Sequence, residues 1–460
     1  MKENPSRFGA IRAKRLSDAS LEKLHKKGII PGPVSFPLKS HEPFLQRLSE
    51  EKTETLAPGV HFHAYPHDLG DGNYVNVYSV SAEQTAGTVL EVTSSLKPVY
   101  QRKRFKDPSV IAATSGGFFY LSDDDGYEPI DYTFNLCVRN GVLASLPTVT
   151  RNALITRTDG SYEVQELAAR GICTIGGKEF AWVGGREPKA IQDTASHIMY
   201  GPACCSMMIQ DDPITGQKRV VDREKNKTPL LADRADVVVI VKNGTHVVTR
   251  INEGGGTDFF SGTYILSLPR SEAQSVRVGD VVTHARIGSL DMHTVDSAIN
   301  VGPSLTDASA LDTDALSINH DASFGEKVFN LTSRVPRSVL FKDSTGEVHM
   351  RIYDGGKSER GKGCTPREVL EEVTLSLAKM NRTLAWGVHL DGGKSSHLLH
   401  MTPSGELDGN GVLYYERWPS KNLALRTGEA ERGNFFLVGP EGRRSASHVV
   451  LKRKTQYHNT

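Results

Sequence analysis

Cysteine is scarce in this 460-residue sequence, which contains only Cys137, Cys173, Cys204, Cys205 and Cys364. No two of them form a Cys-x-x-Cys motif, which excludes a zinc ribbon and argues against a disulfide scaffold. No base stands beside the adjacent Cys204 and Cys205, and we interpret this pair as buried, inert thiols rather than reactive ones. These features are typical of a reduced, cytoplasmic protein.

Long apolar segments and an excess of one charge are also absent. No stretch approaches the roughly 20 apolar residues that span a bilayer, and residues 1–8 lack the apolar core of a secretory signal. The 55 basic residues nearly equal the 54 acidic ones. This balance argues against a dedicated nucleic-acid binder or a polybasic membrane protein. Nothing in the sequence predicts an oligomeric state.

Glycine, in contrast, is abundant. The 43 glycines predict many tight turns and therefore many short strands. Two polar, irregular segments, 186–235 and 303–330, are interpreted as insertions. We divide the chain into a partly helical N-terminal arm, one large domain and a basic, solvated tail, over residues 1–57, 58–440 and 441–460 respectively.

Two β-hairpins are predicted from turn residues between β-branched runs. In the first, over residues 237–251, Asn243 and Gly244 supply the two positive-φ positions of a type I′ turn. The second covers residues 338–353 and turns near Gly346. Both hairpins require antiparallel pairing of the flanking strands.

One helix is predicted over residues 366–380. Thr365 and Glu368 form a capping box around a proline, and an apolar stripe follows. The helix separates two strands that end at Asp354 and Asp391, and such a crossover favours parallel strands whose carboxyl ends share one sheet edge. We therefore expect an α+β fold with a mixed central sheet.

A further glycine turn follows the apolar run that ends at Thr114. Ser115, Gly116, Gly117 and Phe118 form this turn, and glycines allow backbone N–H groups to approach an anion closely. The alternative is a bend or bulge that only packs. The turn by itself does not distinguish an anion site from a packing feature.

Six segments, taken in chain order, resemble the phosphodiester glycosidase domain family. That family reads N-G-G-F-F, a G-D strand, G-G-P-x-L, P-R-T-A-I-G, a D-G turn and L-D-G-G-G-S. The similarity extends over roughly residues 58–440, and its last segment is the most specific. The corresponding segments of this chain are 112–119, 276–281, 300–305, 334–339, 353–356 and 390–396.

The resemblance implies a site for cleaving a sugar-1-phosphodiester. Such a reaction needs a carboxylate at the oxocarbenium-like centre or at water, and Asp391 and Asp354 are the candidates, with Glu253 in reserve. Arg337 suits a bidentate phosphate contact. Turn-forming aspartates and a surface arginine remain the alternatives. The other expected substrate-binding residues are Ser115, Gly116, Gly117, Phe118, Gly392, Gly393, Lys394, Ser395 and Ser396.

The sequence departs from the family pattern at three of these positions. Ser115 stands where the family has asparagine, and Ser338 where it has threonine. Lys394 replaces the third glycine of the closing motif and adds a cation beside Asp391. These changes indicate that the substrate differs from the one best known for the family.

Evidence for a cofactor is weak, and a divalent cation is the one candidate left open. His61 and His63 alternate on one strand, with His67 further along, but a packed or solvated pair explains them better than a metal site. An acidic loop at residues 123–125 has the oxygen ligands that hard cations prefer, and it also has the features of a solvated loop. No metal ligand is assigned.

The expected function is a hydrolase that cleaves a glycosidic phosphodiester, with a phosphorylated sugar or a nucleotide as substrate. Two alternatives remain open at this point. One is a non-catalytic protein that binds a sugar phosphate or nucleotide sugar, and the other is a biosynthetic enzyme that acts on a nucleoside or nucleotide sugar. An enzyme needs a positioned carboxylate, whereas a binding protein needs only hydrogen-bond donors.

Overall fold

The computed structural model describes most of the large domain. Strands are numbered β1–β28 in chain order. The described residues are 48–70, 72–99, 101–118, 136–185, 196–201, 209–211, 218–220, 227–258, 263–305, 334–354, 363–410, 412–416, 434–438 and 445–454. No helix within these ranges is long and apolar enough to cross a membrane.

The predicted carboxylates, Asp354 and Asp391, follow the carboxyl ends of two strands of sheet A. All of its strand pairs are antiparallel. In spatial order its six strands are β1 (Lys52–Ala57), β2 (Val60–Gly70), β3 (Asn73–Ala82), β22 (Val348–Tyr353), β21 (Arg337–Asp343) and β23 (Leu384–His389).

Sheet B packs face to face with sheet A. Residues Leu340 and Ile352 of sheet A share a buried core with Ile111, Leu398 and Val449 of sheet B. In spatial order its five strands are β25 (Leu407–Asn410), β24 (Leu398–Met401), β5 (Val110–Ser115), β28 (Ser445–Arg453) and β4 (Thr88–Val99).

Two further sheets complete the large domain. Sheet C consists of β7 (Val142–Ser145), β6 (Cys137–Arg139), β20 (Val295–Asn300), β8 (Arg151–Arg157) and β9 (Tyr162–Leu167). Sheet D consists of β10 (Arg170–Ile175), β11 (Lys178–Gly184), β12 (Ile198–Tyr200), β17 (Thr263–Pro269), β15 (Leu230–Lys242), β16 (Thr245–Gly255), β18 (Val281–Ile287) and β19 (Leu290–Asp291). Pairing of β10 with β18 curls sheet D back on itself. Two separate hairpins are β13–β14 (Ile209–Asp211, Lys218–Val220) and β26–β27 (Val412–Glu416, Asn434–Val438).

Helical structure is limited. The single-turn helix α1 (Arg270–Ala273) and the 14-residue helix α2 (Pro366–Lys379) are α-helical, and three short 3-10 helices are η1 (Gln101–Lys106), η2 (Met292–Thr294) and η3 (Gly393–Ser395). The predicted capping box is confirmed: the Thr365 side chain accepts from the Glu368 N–H, and the Glu368 carboxylate accepts from the Thr365 N–H. Val369, Val373 and Leu377 then pack on the outer face of sheet A.

Both predicted hairpins are confirmed. Strands β15 and β16 meet at Asn243 and Gly244, whose φ angles of 51° and 80° are those that the turn requires. Strands β21 and β22 meet at a turn where Gly346 has a φ of 90°. Positive φ at these positions is accessible to glycine and asparagine, which is why the sequence signal was reliable.

The expected α+β class is wrong, because the described residues form an all-β protein. The central sheet is not mixed, since sheet A contains only antiparallel neighbours. The predicted strand–helix–strand unit is present. Strands β22 and β23 each pair antiparallel with β21, which lies between them, so they run parallel to each other. One strongly amphipathic helix drew the class prediction towards α+β, whereas the many short strands have weak individual signals.

The structure can be compared with both predicted domain boundaries. Residues 52–57 of the predicted arm form the outermost strand of sheet A, and residues 445–453 of the predicted tail form β28 between β5 and β4. The apolar run at 449–451 explains the burial of β28. Residues 1–47, with the predicted helix, lie outside the described residues, as do most of the two predicted insertions, Cys204, Cys205 and the acidic loop at 123–125.

Candidate active site

The carboxyl end of β5 meets the turn that follows β23. The Ser115 hydroxyl donates to the Asp391 carbonyl oxygen at 2.9 Å, and the Asp391 N–H donates to the Gly116 carbonyl oxygen at 2.9 Å. These two bonds join sheet A to sheet B at one point. They also fix the backbone of Asp391 on both sides of its side chain.

The start of β21 completes this junction. The Ser115 hydroxyl lies 3.2 Å from the Ser338 hydroxyl, and the Gly393 N–H donates to the Pro336 carbonyl oxygen at 2.8 Å. Three segments that the sequence analysis assigned to one site therefore meet at one edge.

The two glycines after Ser115 serve packing. The Gly116 N–H donates to the Ser447 carbonyl oxygen and the Gly117 N–H donates to the Ser447 hydroxyl, each at 3.0 Å. A Cβ atom on Gly117 would lie 2.1 Å from the Asn300 carbonyl oxygen. The expected anion cradle of backbone N–H groups is therefore wrong for Gly116 and Gly117, since Ser447 already uses both donors.

Arg337 lies in the interior of the protein, with 2% of its surface exposed. It pairs with Tyr353 across the hairpin, which places it at the sheet edge expected from the sequence. Its Nε donates to the Cys364 carbonyl oxygen at 2.9 Å. Because Thr365 caps helix α2 immediately after Cys364, the helix start fixes the acceptor. The alternative of a surface arginine is excluded.

Asp354 is a buried carboxylic acid. Its two oxygens accept from the Asn76 N–H at 2.7 Å and from the Asn76 side-chain amide at 2.9 Å. Burial raises the pKa of Asp354 to about 6, against a smaller lowering by these two hydrogen bonds. A carboxyl group in this environment exchanges a proton near neutral pH, which suits a general acid or base.

The two predicted carboxylates share the sheet edge but have different neighbours. One strand, β21, separates β22 from β23, so the ends of these strands are about 10 Å apart at the usual strand spacing. The Asp354 carboxylate is bonded to Asn76 on β3, on the far side of β22 from β21. The ends of these two strands are therefore further apart than the roughly 5 Å between the carboxylates of a retaining glycosidase.

The closing motif contributes two buried hydroxyls. Gly393–Ser395 forms η3, and the side chains of Ser395 and Ser396 are 2% and 0% exposed. Neither hydroxyl has a hydrogen-bond partner within the part of the chain that the structure describes. A Cβ atom placed on Gly392 would lie 3.9 Å from the Ser396 hydroxyl, so this hydroxyl is beside the Asp391 turn. The Lys394 side chain lies outside the described residues.

Phe118 and Glu253 have separate environments. The Phe118 ring is buried, and the Arg151 guanidinium lies 5.9 Å from its centre. Glu253 belongs to sheet D, where its exposed carboxylate forms an ion pair with Arg270. The structure therefore does not bring the reserve carboxylate to the edge that carries Asp391 and Asp354.

Among the described residues, one group has the composition of a metal site. Asp343, Glu347 and His349 are buried at the β21–β22 turn, with potential ligand atoms within 4.8 Å of one another. Arg382 donates to Asp343 at 2.9 Å and also to Glu347. A guanidinium therefore neutralises these carboxylates, and the network stabilises the turn.

The predicted histidine pair has a simple environment. His61 and His63 are hydrogen-bonded to Thr55 and Thr53 of β1, at 3.2 and 3.3 Å. Both imidazoles are half-buried on one face of β2, and His61 Nε2 lies 3.9 Å from the Glu83 carboxylate.

Sequence reasoning missed two residues that shape the site. Asn76 holds Asp354, and Ser447 holds Gly116 and Gly117, from positions 278 and about 330 residues away in the chain. Both stand in ordinary strand sequences, where a polar residue is expected on any half-exposed face. No local signal distinguishes them, because their roles depend on pairing between distant strands.

Comparison with known proteins relates the chain to others by fold alone. No family model and no curated protein matches the sequence. Among solved structures, the chain is similar to a hypothetical protein from Synechocystis, with a TM-score of 0.51 and 15% identity over 87% of this chain. The chain covers 63% of that protein's length. At this identity the similarity concerns architecture and assigns no activity.

Two weaker similarities were found. A Burkholderia pseudomallei protein gives a TM-score of 0.49 and 14% identity, covering 88% of this chain and 96% of its own. The zebrafish catalytic domain of N-acetylglucosamine-1-phosphodiester α-N-acetylglucosaminidase gives 0.40 and 10%, covering 88% of both chains. The second of these is a distant structural similarity to a phosphodiester glycosidase, and neither score supports an argument about this chain's chemistry.

Proposed function

We propose that the protein is a hydrolase that cleaves a glycosidic phosphodiester. The observation that carries this proposal is the junction of Ser115, Ser338 and Asp391, formed by hydrogen bonds between segments that are far apart in sequence. Arg337 precedes Ser338 at the start of β21. The same segments contain the motifs that resemble the phosphodiester glycosidase family. A buried carboxyl group, Asp354, lies at the end of β22, which is separated from β23 by β21.

Side-chain donors would hold the substrate phosphate. Arg337 provides a guanidinium that burial shields from water, which strengthens a charge-assisted contact. The Ser395 and Ser396 hydroxyls are the remaining donors, because Ser447 occupies the N–H groups of Gly116 and Gly117. This set differs from the backbone cradle expected from the sequence.

The two carboxyl groups would have separate roles. Asp391 is half-buried on a rigid backbone, and its carboxylate would stabilise the oxocarbenium-like centre or orient the attacking water. Asp354, with a pKa near 6, would exchange a proton with water or with a group on the sugar. A glycosyl phosphate leaves readily, so strong protonation of the leaving group is unnecessary. The wide spacing supports direct attack by water over a covalent glycosyl intermediate.

The proposal is tested by Asp391→Asn. Turnover should fall at least 100-fold on a panel of sugar-1-phosphodiesters and nucleotide sugars, measured by mass spectrometry, while binding by calorimetry changes less than about tenfold, since the substitution keeps the shape and removes the charge. Asp159→Asn, at the exposed β8–β9 turn, is the matched control and should retain full turnover. Equal activity of Asp391→Asn and wild type would exclude the catalytic assignment.

A non-catalytic sugar-phosphate or nucleotide-sugar binding protein is the second candidate. The observation that favours it is the Asp354 carboxylate, whose two oxygens are both hydrogen-bonded to Asn76 as in a purely structural contact. This candidate predicts measurable binding of the panel by calorimetry with no turnover by the wild type. Turnover by the wild type that depends on Asp391 would exclude it.

A further inference from the structure

A second group of polar side chains lies on the outer face of sheet B, beneath η1. Helix η1 packs on β5 and β28, where Phe105 covers Val110, Ala113 and Val450. Gln101 of η1, His397 before β24 and His448 of β28 are 2%, 2% and 1% exposed. His448 is the cross-strand neighbour of Ser115, so this group stands one strand away from the candidate active site.

Hydrogen bonds join these side chains in two pairs, one on each histidine. The Arg104 Nε–H donates to His448 Nδ1 at 3.0 Å, and His397 Nδ1 is hydrogen-bonded to Gln101 Oε1. Burial lowers the pKa of His448, and the charges of Arg104 and then His397 lower it further. We call Gln101, Arg104, His397 and His448 the η1 cluster.

The tautomer of His448 follows from its partner. Arginine Nε–H is only a donor, so His448 Nδ1 must be the acceptor and a neutral imidazole then bears its proton on Nε2. Burial, more than the nearby Arg104, lowers the pKa of His448 well below its ordinary value and keeps it neutral. His448 Nε2 is thus a buried N–H donor, and no residue described by the structure accepts from it.

Gln101 adds further donors of the same kind. Its Oε1 is engaged by His397, which leaves the side-chain NH₂ group, and this nitrogen also lacks an acceptor among the described residues. A buried donor without an acceptor destabilises the folded protein. Two such groups in one cluster point to an acceptor-rich ligand.

The surrounding charge is positive. Helix η1 has the sequence Gln-Arg-Lys-Arg-Phe-Lys. Burial, and secondarily the charge of Arg139, lowers the pKa of Arg104, which shows that two guanidinium groups act on the same region. Two acidic groups next to sheet B are engaged by Lys452, which pairs with Glu91 at 2.6 Å and with Asp107 at 3.0 Å.

From the orphaned donors and the positive surroundings we propose that the η1 cluster binds an oxyanion of the phosphate or sulfate type. Neutral N–H donors and one guanidinium would satisfy its oxygens, as the active-site donors around Arg337 are proposed to do for the substrate. The anion is either free in solution or the phosphate group of an organic ester. This inference does not depend on the proposed function.

The test is calorimetric titration of the full chain with inorganic phosphate and with glucose 1-phosphate, together with thermal unfolding. Gln101→Glu keeps the acceptor for His397 and places a carboxylate where the NH₂ group was. It should weaken binding at least tenfold and remove the rise in Tm with phosphate. Lys103→Gln changes the net charge equally on the exposed side of η1 and should bind like wild type.

Further variants keep the test independent of folding and of the active site. Gln101→Leu removes the donors without adding charge and should also weaken binding at least tenfold. Phosphate binding that Arg337→Gln weakens and both Gln101 variants leave intact would belong to the proposed substrate site, and this result would overturn the assignment to the η1 cluster. A preference for inorganic phosphate identifies a free anion, and a preference for the ester identifies an organic one. Absence of binding by wild type, or binding unaffected by both Gln101 variants, would overturn the proposal.

Discussion

At the scale of single residues, the position of Arg337 follows from two neighbours. Pro336 lies where the chain enters β21, and the Cys364 carbonyl holds the guanidinium from the side of helix α2. The backbone N–H of Cys364 also pairs with the Val335 carbonyl oxygen at 3.0 Å, so the acceptor is itself fixed. Such a preorganised arginine loses little entropy when it binds a phosphate.

Arg337→Ala should weaken the binding of phosphodiester substrates by 10- to 100-fold. The lost contact is worth on the order of 1.5–3 kcal/mol, at about 1.4 kcal/mol per decade of affinity. Arg337→Lys should restore only part, since a point charge does not reproduce the planar fork. The measurement is the dissociation constant of a charged substrate by calorimetry, with thermal unfolding to confirm that each variant is folded. Wild-type affinity in a folded Arg337→Ala protein would show that the phosphate is bound elsewhere.

At the scale of secondary structure, helix α2 is attached to sheet A by a buried ion pair. Glu372 accepts from Arg351 at 2.7 Å and from the hydroxyls of Tyr353 and Tyr65, each at 2.6 Å. Arg351 and its hydrogen-bonded neighbours hold the pKa of Glu372 below its ordinary value, against the effect of burial. This clamp of Glu372, Arg351, Tyr353 and Tyr65 holds the middle of α2 on sheet A.

Glu372→Gln should lower the free energy of unfolding by about 3–5 kcal/mol. The change leaves the Arg351 guanidinium buried without its counter-charge, which is more costly than losing both partners. Urea denaturation measures the effect. Glu371→Gln, one residue earlier on the exposed face of the same helix, is the control and should change stability by less than about 0.5 kcal/mol. Similar losses for both variants would contradict the clamp.

Local signals in the sequence predicted some elements well and others poorly. Asn243–Gly244 and the Thr365–Glu368 capping box are complete within a few residues, so the hairpin and the helix start could be read directly. Strand β28 could not be predicted in this way, because its apolar run becomes a strand only when β4 and β5 pair with it. The same limitation applies to Asn76 at the candidate site.

At the scale of the whole molecule, sheet D encloses a chain of neutral polar groups. His246 Nδ1 and His284 Nε2 each lie 2.9 Å from the Tyr264 hydroxyl, and His246 Nε2 lies 2.8 Å from the Leu143 carbonyl oxygen. Burial, and secondarily His246, lowers the pKa of His284 to about 3. The folded protein therefore keeps this imidazole neutral under conditions where the unfolded chain is protonated.

The protonation of His284 in the unfolded chain should lower the free energy of unfolding as the pH drops below about 6.5. The pKa of His284 is near 6.5 in the unfolded chain and about 3 in the folded protein, so between these values the unfolded chain binds more protons. This difference lowers the free energy of unfolding by about 2 kcal/mol at pH 5 relative to pH 7. Asp354 has the opposite sign, because its raised pKa favours the folded state as the pH falls towards 4. His284→Gln should reduce the loss measured by urea denaturation at pH 7 and 5. An unchanged pH dependence would contradict the assignment.

Strand β28 has a consequence for how the protein is made. It lies inside sheet B between β4 and β5, although more than 320 residues separate it from them in the chain. A ribosome adding 5–20 residues per second needs on the order of half a minute between these strands. During this interval β5 lacks a neighbour and Gly116 lacks the Ser447 acceptor. The nascent chain therefore carries an unprotected strand edge, and its candidate active site is assembled only after residue 447 emerges.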